Sequence, residues 1–331
     1  MAEYAEQGSG QAKAASRYLE LSAKRNSYLQ EARACAELTI PRLIPPEDVD
    51  SGMELVTPAQ SDGAKGVNSL TAKILMATVP PNIPVFKLET SEMVDAVMDS
   101  QATDDQTKAA MDKSAREIRK NLDRIPRECL RITDVHAHRP KIFEGFKHLV
   151  CGGNILFWYL DDKKNYGKMR SVPLSRYVVL RDSLGFVLEV IIKDGLSAAN
   201  LPPNLKEIVK MTKTAEDILR DASLVKSDST YTPYALYTYA CWDSDESKYN
   251  FFQEFCGFIV EGTQGKYTAD TFPLAPLRFS GGDGEDYGRG HVEEFRGTLM
   301  AIEALAQAET ALAISLSEIR WGISPDRKSV V

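Results

Sequence analysis

One short stretch decides the fold, because it joins a region of strand-like segments to the last helical pattern of the chain. It reads Gly281-Gly282-Asp283-Gly284-Glu285-Asp286-Tyr287-Gly288-Arg289-Gly290-His291-Val292-Glu293-Glu294. The glycines predict a turn that needs positive φ. The stretch lacks the Lys of a phosphate-binding loop, and its acidic side chains would repel a phosphate. We therefore interpret it as a turn from a strand into a helix, without a nucleotide.

A long helix is predicted directly after this turn, over residues 291–320, with no internal proline. About 30 residues at 1.5 Å each would form a rod of about 45 Å. Its apolar seam consists of Val292, Phe295, Leu299, Ile302, Leu305, Leu312 and Leu316. Two basic residues, Arg296 and Arg320, stand against five acidic ones, for a net charge of 2 − 5 = −3; the acids are Glu293, Glu294, Glu303, Glu309 and Glu318. Such a helix must pack against something.

The region before the turn, residues 154–280, is rich in β-branched and aromatic residues separated by turn clusters. This pattern predicts a small antiparallel sheet, with one short helix after Pro202-Pro203. The predicted strands are Ile155–Leu160, Tyr177–Leu180, Phe186–Ile192, Tyr231–Trp242, Tyr249–Val260 and about Lys266–Phe272.

Four helices are predicted before the β-rich region, over residues 12–39, 58–79, 104–124 and 140–151. The start signal at Thr57-Pro58 combines a capping hydroxyl with proline at the first helical position. Gly152-Gly153 is a typical helix end. Leu21, Tyr28, Ala32 and Cys35 recur on one face of the first helix, and Met111, Ala115, Ile118 and Leu122 form one stripe of the third. The fold class is therefore α+β.

Composition excludes several classes of protein. The chain has 331 residues and a net charge of −7. Its hydrophobic residues make up 43%, a fraction close to that of ordinary globular proteins. The acidic balance argues against a surface that coats nucleic acid. No apolar run approaches the roughly 20 residues of a membrane span, so no membrane contact is predicted. The start shows no secretory signal, and the five widely spaced cysteines are expected to be buried free thiols in a reducing cytosol.

No catalytic, metal or cofactor site is predicted. His136 and His138 lie two residues apart, a spacing that does not suit one face of a helix, and we interpret them as surface histidines before a helix start. The chain has no Gly-x-Ser-x-Gly elbow, and adjacent acids such as Glu293 and Glu294 lie on different faces of a helix. An enzyme therefore has no support in the sequence.

Several segments together resemble the portal, or head-to-tail connector, proteins of short-tailed bacteriophages. The first two are Arg25-x-x-Tyr28 leading to Thr39-Ile40-Pro41, and Thr57-Pro58-x-Gln60 leading to Gly63-Ala64-Lys65-Gly66-Val67-Asn68. The next two are Phe143-Glu144 leading to Gly152-Gly153-Asn154, and Tyr177-Val178-Val179-x-Arg181-Asp182-x-x-Gly185. Last comes Pro273-x-x-Pro276-x-Arg278, which leads to Tyr287-Gly288-Arg289-Gly290 and then Glu293-Glu294. Each motif is short, and their order over about 25–320 is specific.

The resemblance implies a ring, usually of twelve subunits, at one capsid vertex, through which double-stranded DNA is packaged and ejected. Its implied partners are the major capsid and scaffolding proteins, the terminase packaging motor and the tail adaptor, and its implied location is the virion after assembly in the host cytoplasm. By analogy, residues 1–290 form a peripheral wing of helices and a small β-barrel-like sheet, 291–320 the first stem helix, and 321–331 the start of the clip. Family chains usually continue further, so a fragment, a shortened product or a chain completed by another polypeptide are all open.

Two sets of residues follow from this interpretation. Glu303 and Glu309 are candidates for lining the channel, where acidic side chains would repel DNA weakly and let it slide, unless they pair with a neighbouring wing. Arg289, Arg296 and Asp286 are candidates for contacts between subunits. The competing hypothesis is a cytosolic oligomeric scaffold unrelated to viruses.

Overall fold

The computed structural model describes residues 13–46, 54–89, 105–160, 167–197, 201–212, 217 and 234–317. The α-helices within these ranges are α1 (Lys13–Glu37), α2 (Asp62–Thr78), α3 (Asp105–Val135), α4 (His138–Gly152), α5 (Pro203–Thr212) and α6 (His291–Ser317). The strands are β1 (Asn154–Leu160), β2 (Lys168–Pro173), β3 (Tyr177–Arg181), β4 (Val187–Leu196), β5 (Tyr234–Asp243), β6 (Lys248–Phe255), β7 (Phe258–Ile259), β8 (Gly265–Tyr267) and β9 (Leu274–Arg278). The architecture is mixed helix and antiparallel sheet, as the α+β prediction requires.

Helix α1 confirms the first predicted helix and adds one buried charge. Leu21, Ala32 and Cys35 are buried. Arg25 is also buried, with only 4% of it exposed. Its guanidinium donates hydrogen bonds to the Tyr18 hydroxyl at 2.9 Å and to the Ser175 carbonyl oxygen at 3.1 Å. A buried cation is stable here because carbonyl and hydroxyl oxygens replace its water.

Helix α2 begins at Asp62, later than the start signal at Thr57-Pro58 predicts. The backbone N–H groups of Ala59 and Gln60 instead donate to the carboxylate of Glu303 on α6, at 2.9 and 3.2 Å. The side-chain oxygen of Gln60 accepts from Gly63 N at 2.9 Å and so satisfies one free donor of the first turn. A contact from the far end of the chain therefore moved this helix start.

Helix α3 is the largest departure among the helices. It continues to Val135 instead of ending near 124, and it passes through Pro126. Proline usually ends or bends a helix because it lacks an N–H and its ring meets the preceding turn. The apolar residues Ile125, Cys129 and Ile132 continue the three-four spacing beyond the proline, and the helix continues with them.

The strands form two open antiparallel sheets, and neither closes into a barrel. One has the order β2-β1-β9, and the other has the order β3-β4-β5-β6-β7 with β8 also paired to β6. Strands β2 and β9 were not predicted. Strand β9 contains Pro276 and lies at a sheet edge, the position where proline costs no ladder hydrogen bond. The predicted strand at 266–272 is wrong beyond Tyr267, because residues Ala269–Thr271 form a 3-10 turn.

The main core lies where both sheets meet the helices. It contains residues of α1, α4, β1, β3 and β4. Tyr287, from the turn before α6, and Val292, from the first turn of α6, also belong to it. The largest side chains that are fully buried include Tyr177, Tyr287, Leu29, Ile155 and Leu156. The family-like turn is therefore part of the core.

Helix α6 leaves this core almost at once. Val292 is buried, but Phe295, Met300, Leu305, Leu312 and Leu316 are all at least half exposed. Of the helices in the described ranges, α6 is long and apolar enough to cross a membrane by length and composition, a test that packed protein helices also pass. The absence of membrane contact stays a prediction. The last predicted residues of the helix, with Glu318 and Arg320, and the clip at 321–331 lie outside the described residues.

Candidate functional site: the junction at the start of the last helix

Asn154 holds the Tyr287-Gly288-Arg289-Gly290 turn at the end of α4. Its side-chain amide donates to the Gly288 carbonyl oxygen at 2.6 Å, and its side-chain oxygen accepts from Gly288 N at 2.8 Å. The same amide donates to the Gly152 carbonyl oxygen at 3.1 Å. Because Asn154 is only 3% exposed, water cannot replace these bonds. One side chain therefore satisfies both backbone groups of Gly288.

Glycine is required where the two segments touch. A Cβ on Gly290 would lie 2.2 Å from the carbonyl oxygen of Cys151, and a Cβ on Gly153 would lie 2.4 Å from the carbonyl carbon of Arg289. Gly153 also has φ of +76°, the left-handed conformation that ends α4. Gly284, in the turn itself, has φ of +74°, as predicted for this loop. The backbones meet without room for any side chain.

Tyr287 fixes the turn to the larger sheet. Its hydroxyl accepts a hydrogen bond from the backbone N–H of Val179 on β3 at 3.0 Å, and its ring packs 5.4 Å from that of Tyr28 on α1. The side chain is 1% exposed, and burial raises the pKa of its hydroxyl. Tyr287 is therefore neutral at any ordinary pH and acts as a buried anchor between α1 and β3.

Asp286 binds Arg181 of its own chain. Its carboxylate accepts from Arg181 N at 2.7 Å, and its backbone carbonyl accepts from Arg181 Nε at 3.1 Å. The same guanidinium also donates to the Pro276 and Gly185 carbonyl oxygens at 2.8 and 2.9 Å. Arg181 belongs to one of the motifs that resemble portal proteins, but no pattern in the nearby sequence predicts its contact with Asp286. It ties β3, β9 and the turn together.

The candidate interface arginines also have partners inside the chain. Arg289 contacts Glu293 at 3.1 Å and Glu285 at 3.5 Å, and Arg296 pairs with Glu31 on α1. Glu294 lies 3.4 Å from His291. Exposed pairs of this kind contribute little to stability. The role of Arg289, Arg296 and Asp286 between subunits stays a prediction, and their present geometry serves the junction.

The two channel-lining candidates differ sharply. Glu303 accepts from Ala59 N, Gln60 N and the Gln307 side chain, at 2.9, 3.2 and 2.7 Å. The two backbone hydrogen bonds hold the pKa of Glu303 below its ordinary value. Glu309, by contrast, is exposed and has no partner among the described residues. Glu309 is therefore the freer of the two to face a channel.

A cavity of about 160 Å³ lies beside the junction, between α1, α4 and the start of α6. Its lining includes Tyr28, Glu31, Cys35, Cys151 and Glu293. Burial raises the pKa of the Cys35 and Cys151 thiols to about 12 and about 11, so both are protonated and unreactive. The cavity therefore offers no nucleophile at neutral pH.

Two predictions about isolated side chains need correction. Cys129 and Cys256 are exposed and Cys241 is half-buried, although no disulfide joins any of the five cysteines. His138 is buried, with Nε2 2.7 Å from the Gly167 carbonyl oxygen, because α4 begins two residues earlier than predicted and turns it inward. Within the described ranges, no three potential metal-ligating side chains come together.

The chain belongs to the bacteriophage head to tail connecting protein family, whose pattern matches residues 11–329. The match includes every part of the junction, from Gly152-Gly153-Asn154 to Glu293-Glu294. Proteins of this family are structural connectors and not enzymes, which confirms the prediction that no catalysis takes place. Membership also overturns the alternative of a scaffold unrelated to viruses.

Among curated proteins, the chain is similar to portal proteins of three short-tailed phages. It is 28% identical to that of Escherichia phage T7 over 313 residues, 26% to that of Enterobacteria phage T3 over 329, and 25% to that of Enterobacteria phage SP6 over 313. These alignments cover 93, 98 and 94% of this chain, but 53, 56 and 55% of the relatives. The chain spans about half the length of the curated relatives it matches.

Proposed function

We propose that the chain is a portal subunit, one of about twelve in a ring at a capsid vertex, through which viral DNA enters and leaves. The family match over residues 11–329 is the observation that carries this proposal. In it, residues 1–290 form the wing with its two open sheets, 291–320 the first stem helix and 321–331 the start of the clip. In this proposal, the protein is assembled in the host cytoplasm and is then located in the virion.

The exposure of α6 supports a ring. Phe295, Leu305, Leu312, Ile314 and Leu316 are between 50 and 70% exposed in the single chain. Large exposed apolar surfaces mark sites of association. Subunits that associate head to tail form a closed ring only when the rotation from each subunit to the next adds up to a full circle. The same two surfaces are then covered in every subunit. In the ring, each copy of α6 has a neighbouring subunit on either side, and these subunits cover its apolar residues.

The partners in this proposal follow from the family role. The wing would meet the major capsid and scaffolding proteins, and the clip would meet the terminase motor during packaging and the tail adaptor afterwards. Double-stranded DNA would pass without sequence recognition. A conduit must avoid many phosphate contacts, because each one adds binding and slows sliding.

The clearest test is genetic, in the virus that encodes the chain. Removal of the gene should give particles that contain no DNA, and supply of the protein in trans should restore filled, infectious particles. Formation of filled particles without the protein would overturn the proposal.

A finer test addresses the channel. Glu309→Lys should slow packaging or ejection, since it adds a phosphate contact if α6 lines the lumen. Glu207→Lys is the matched control, because it makes the same charge change at an exposed site on α5. Equal rates in both variants would contradict a lumen-facing Glu309. Glu303 is a poorer probe, because its replacement also breaks the contact with Ala59 and Gln60.

A further inference from the structure

Helix α3 carries a row of basic side chains along one face. They recur at intervals of three, four, four, three and four residues, and at 3.6 residues per turn they fall within a sector of about 80°. The row spans about 27 Å along the helix axis. All six side chains are exposed, and they are Lys113, Arg116, Lys120, Arg124, Arg127 and Arg131. We call this row the basic face of α3.

The segment that carries the basic face has a net positive charge, although the chain as a whole is negative. Residues 113–131 contain seven basic and three acidic residues, a net charge of 7 − 3 = +4, whereas the whole chain carries −7. Arg131 donates to Glu128 at 2.7 Å. Arg124 interacts electrostatically with the same Glu128. The other four members have no hydrogen bond or ion pair with a carboxylate among the described residues. Unpaired cations in a row are available to an outside anion.

The opposite side of α3 is apolar and only partly covered by the chain, since Ile118, Ile125 and Ile132 are 39, 49 and 38% exposed. Ile118, Leu122, Ile125 and Ile132 lie about half a turn away from the basic face. A Cβ on Gly167 would lie 3.7 Å from Ile132 Cγ2, and Pro126, beside the apolar stripe, is buried. The basic face therefore points away from the side on which α3 meets the protein.

We propose that the basic face of α3 binds the phosphate backbone of double-stranded DNA, without reading its sequence. The cations are about 5.4 Å apart on average along the axis. A DNA strand carries one phosphate per about 3.4 Å of duplex axis, so a 27 Å row of cations lies beside several phosphates. The face contains Lys and Arg alone, which position DNA by its backbone and carry no base-reading pattern.

This surface is distinct from the channel of the proposed function. It lies on a helix of the wing region, and it attracts DNA, whereas the exposed Glu309 of α6 would repel it. The choice of DNA as the polyanion rests on the proposed function. An anionic membrane is the competing partner, because the apolar side chains opposite the basic face are partly exposed. Binding to vesicles, measured in the test, separates it from DNA.

The test measures binding of the 331-residue chain to a fluorescent 30-base-pair duplex by anisotropy, over a range of salt concentrations. The variant Lys120→Gln, Arg124→Gln, Arg127→Gln removes three charges from the basic face. The control Lys24→Gln, Lys206→Gln, Lys210→Gln removes three exposed charges from α1 and α5. Glutamine is a good helix former, so both variants should keep the wild-type circular dichroism spectrum.

We expect the basic-face variant to bind at least tenfold more weakly, and the slope of log affinity against log salt to fall by about 2.7, at 0.9 per lost contact. The control should stay within twofold of wild type. Absence of binding by wild type, or equal losses in both variants, would overturn the proposal. So would binding of wild type to phosphatidylglycerol vesicles, lost in Ile118→Ser, Ile125→Ser, without binding to DNA.

Ring formation reports on the proposed function separately. The basic-face variant should form the same assemblies as wild type, because the three replaced side chains are exposed and lie on a different helix from the apolar residues of α6. Binding of DNA by a protein that forms no ring would uphold the basic face and contradict the portal proposal. Rings that bind DNA equally well with and without the basic face would uphold the portal proposal and contradict the role of the basic face.

Discussion

The junction before α6 and the body of α6 are adjacent in sequence and opposite in character. From Asp286 to Val292, backbone and side chains are held by buried hydrogen bonds to Asn154, Arg181 and Val179. From Phe295 onward, the apolar residues of the helix are mostly exposed, and Leu305 is 70% exposed. The chain fixes the position and direction of the helix start, and leaves most apolar residues of the rest of the helix exposed.

The difference between the two regions suggests a division of tasks. Contacts within one chain define the angle at which α6 leaves the wing region, and contacts between chains would then stabilise its length. A rigid origin matters for a ring, because a small error in direction at the junction grows along a helix of about 40 Å. Substitutions at the junction should therefore affect folding of the single chain, whereas those along α6 should affect assembly.

Gly290→Ala should have the largest effect on folding. The new Cβ, which is bonded directly to the backbone, would lie 2.2 Å from the carbonyl oxygen of Cys151, which is itself a backbone atom. We expect the free energy of unfolding to fall by about 3 kcal/mol or more. Gly297→Ala is the control, because a Cβ there meets nothing within 4 Å and alanine favours a helix by about 1 kcal/mol. Urea denaturation of both variants measures the contrast, and similar curves would contradict the close approach.

Asn154→Ala should come second. It leaves the N–H and carbonyl of Gly288 without partners in a buried site. We expect a loss of about 2 kcal/mol in the free energy of unfolding. Asn121→Ala, at an exposed site on α3, should change stability little. A variant at 154 that is as stable as wild type in chemical denaturation would show that the amide does not hold the turn.

Tyr287→Phe removes only the hydroxyl that accepts from Val179 N. The ring still packs against Tyr28, so the expected loss is about 1 kcal/mol, measured by the same denaturation. Tyr159→Phe is the matched control, because that residue is 47% exposed and is not part of the junction. Equal stabilities of the two variants would argue against the buried hydrogen bond.

The contact of Glu303 with Ala59 and Gln60 should show the smallest effect and a distinct pH dependence. Hydrogen bonds to the carboxylate lower the pKa of Glu303 in the folded chain. Their contribution is therefore present above the ordinary pKa of a Glu, and is lost as the pH falls through the lowered value. The protection factors of the Ala59 and Gln60 amides, which correct hydrogen exchange for its intrinsic slowing toward acid pH, should fall in that acidic window. Glu303→Gln should show faster exchange already at pH 7, and an unchanged rate would exclude the contact.

Local patterns in the sequence predicted most of the helices and the strands with strong β propensity. Periodicity and the Gly152-Gly153 stop placed α4 within two residues, and β-branched residues marked β3, β4 and β5. Strand β2, with sequence Lys-Met-Arg-Ser-Val-Pro, has little β propensity and exists because β1 pairs with it. Its formation depends on tertiary context, which local rules do not include.

Several of the errors share one physical cause, contacts between distant parts of the chain. The start of α2 moved because Glu303, more than 240 residues away, binds the N–H groups that a helix cap would use. The resemblance marked Asn154 and Gly288 as members of two motifs, but only the fold shows that they bind each other. The net charge of −7 argued against contact with nucleic acid and concealed the basic face of α3, because a sum over the chain has no spatial resolution.

The most direct test of the account is a cryo-electron microscopy reconstruction of the virion vertex without imposed icosahedral symmetry. The account predicts a ring of this protein at one vertex, with Leu305, Leu312 and Leu316 of each copy packed against its neighbours. A vertex without the protein, or a ring in which this face of α6 is exposed to solvent, would contradict it.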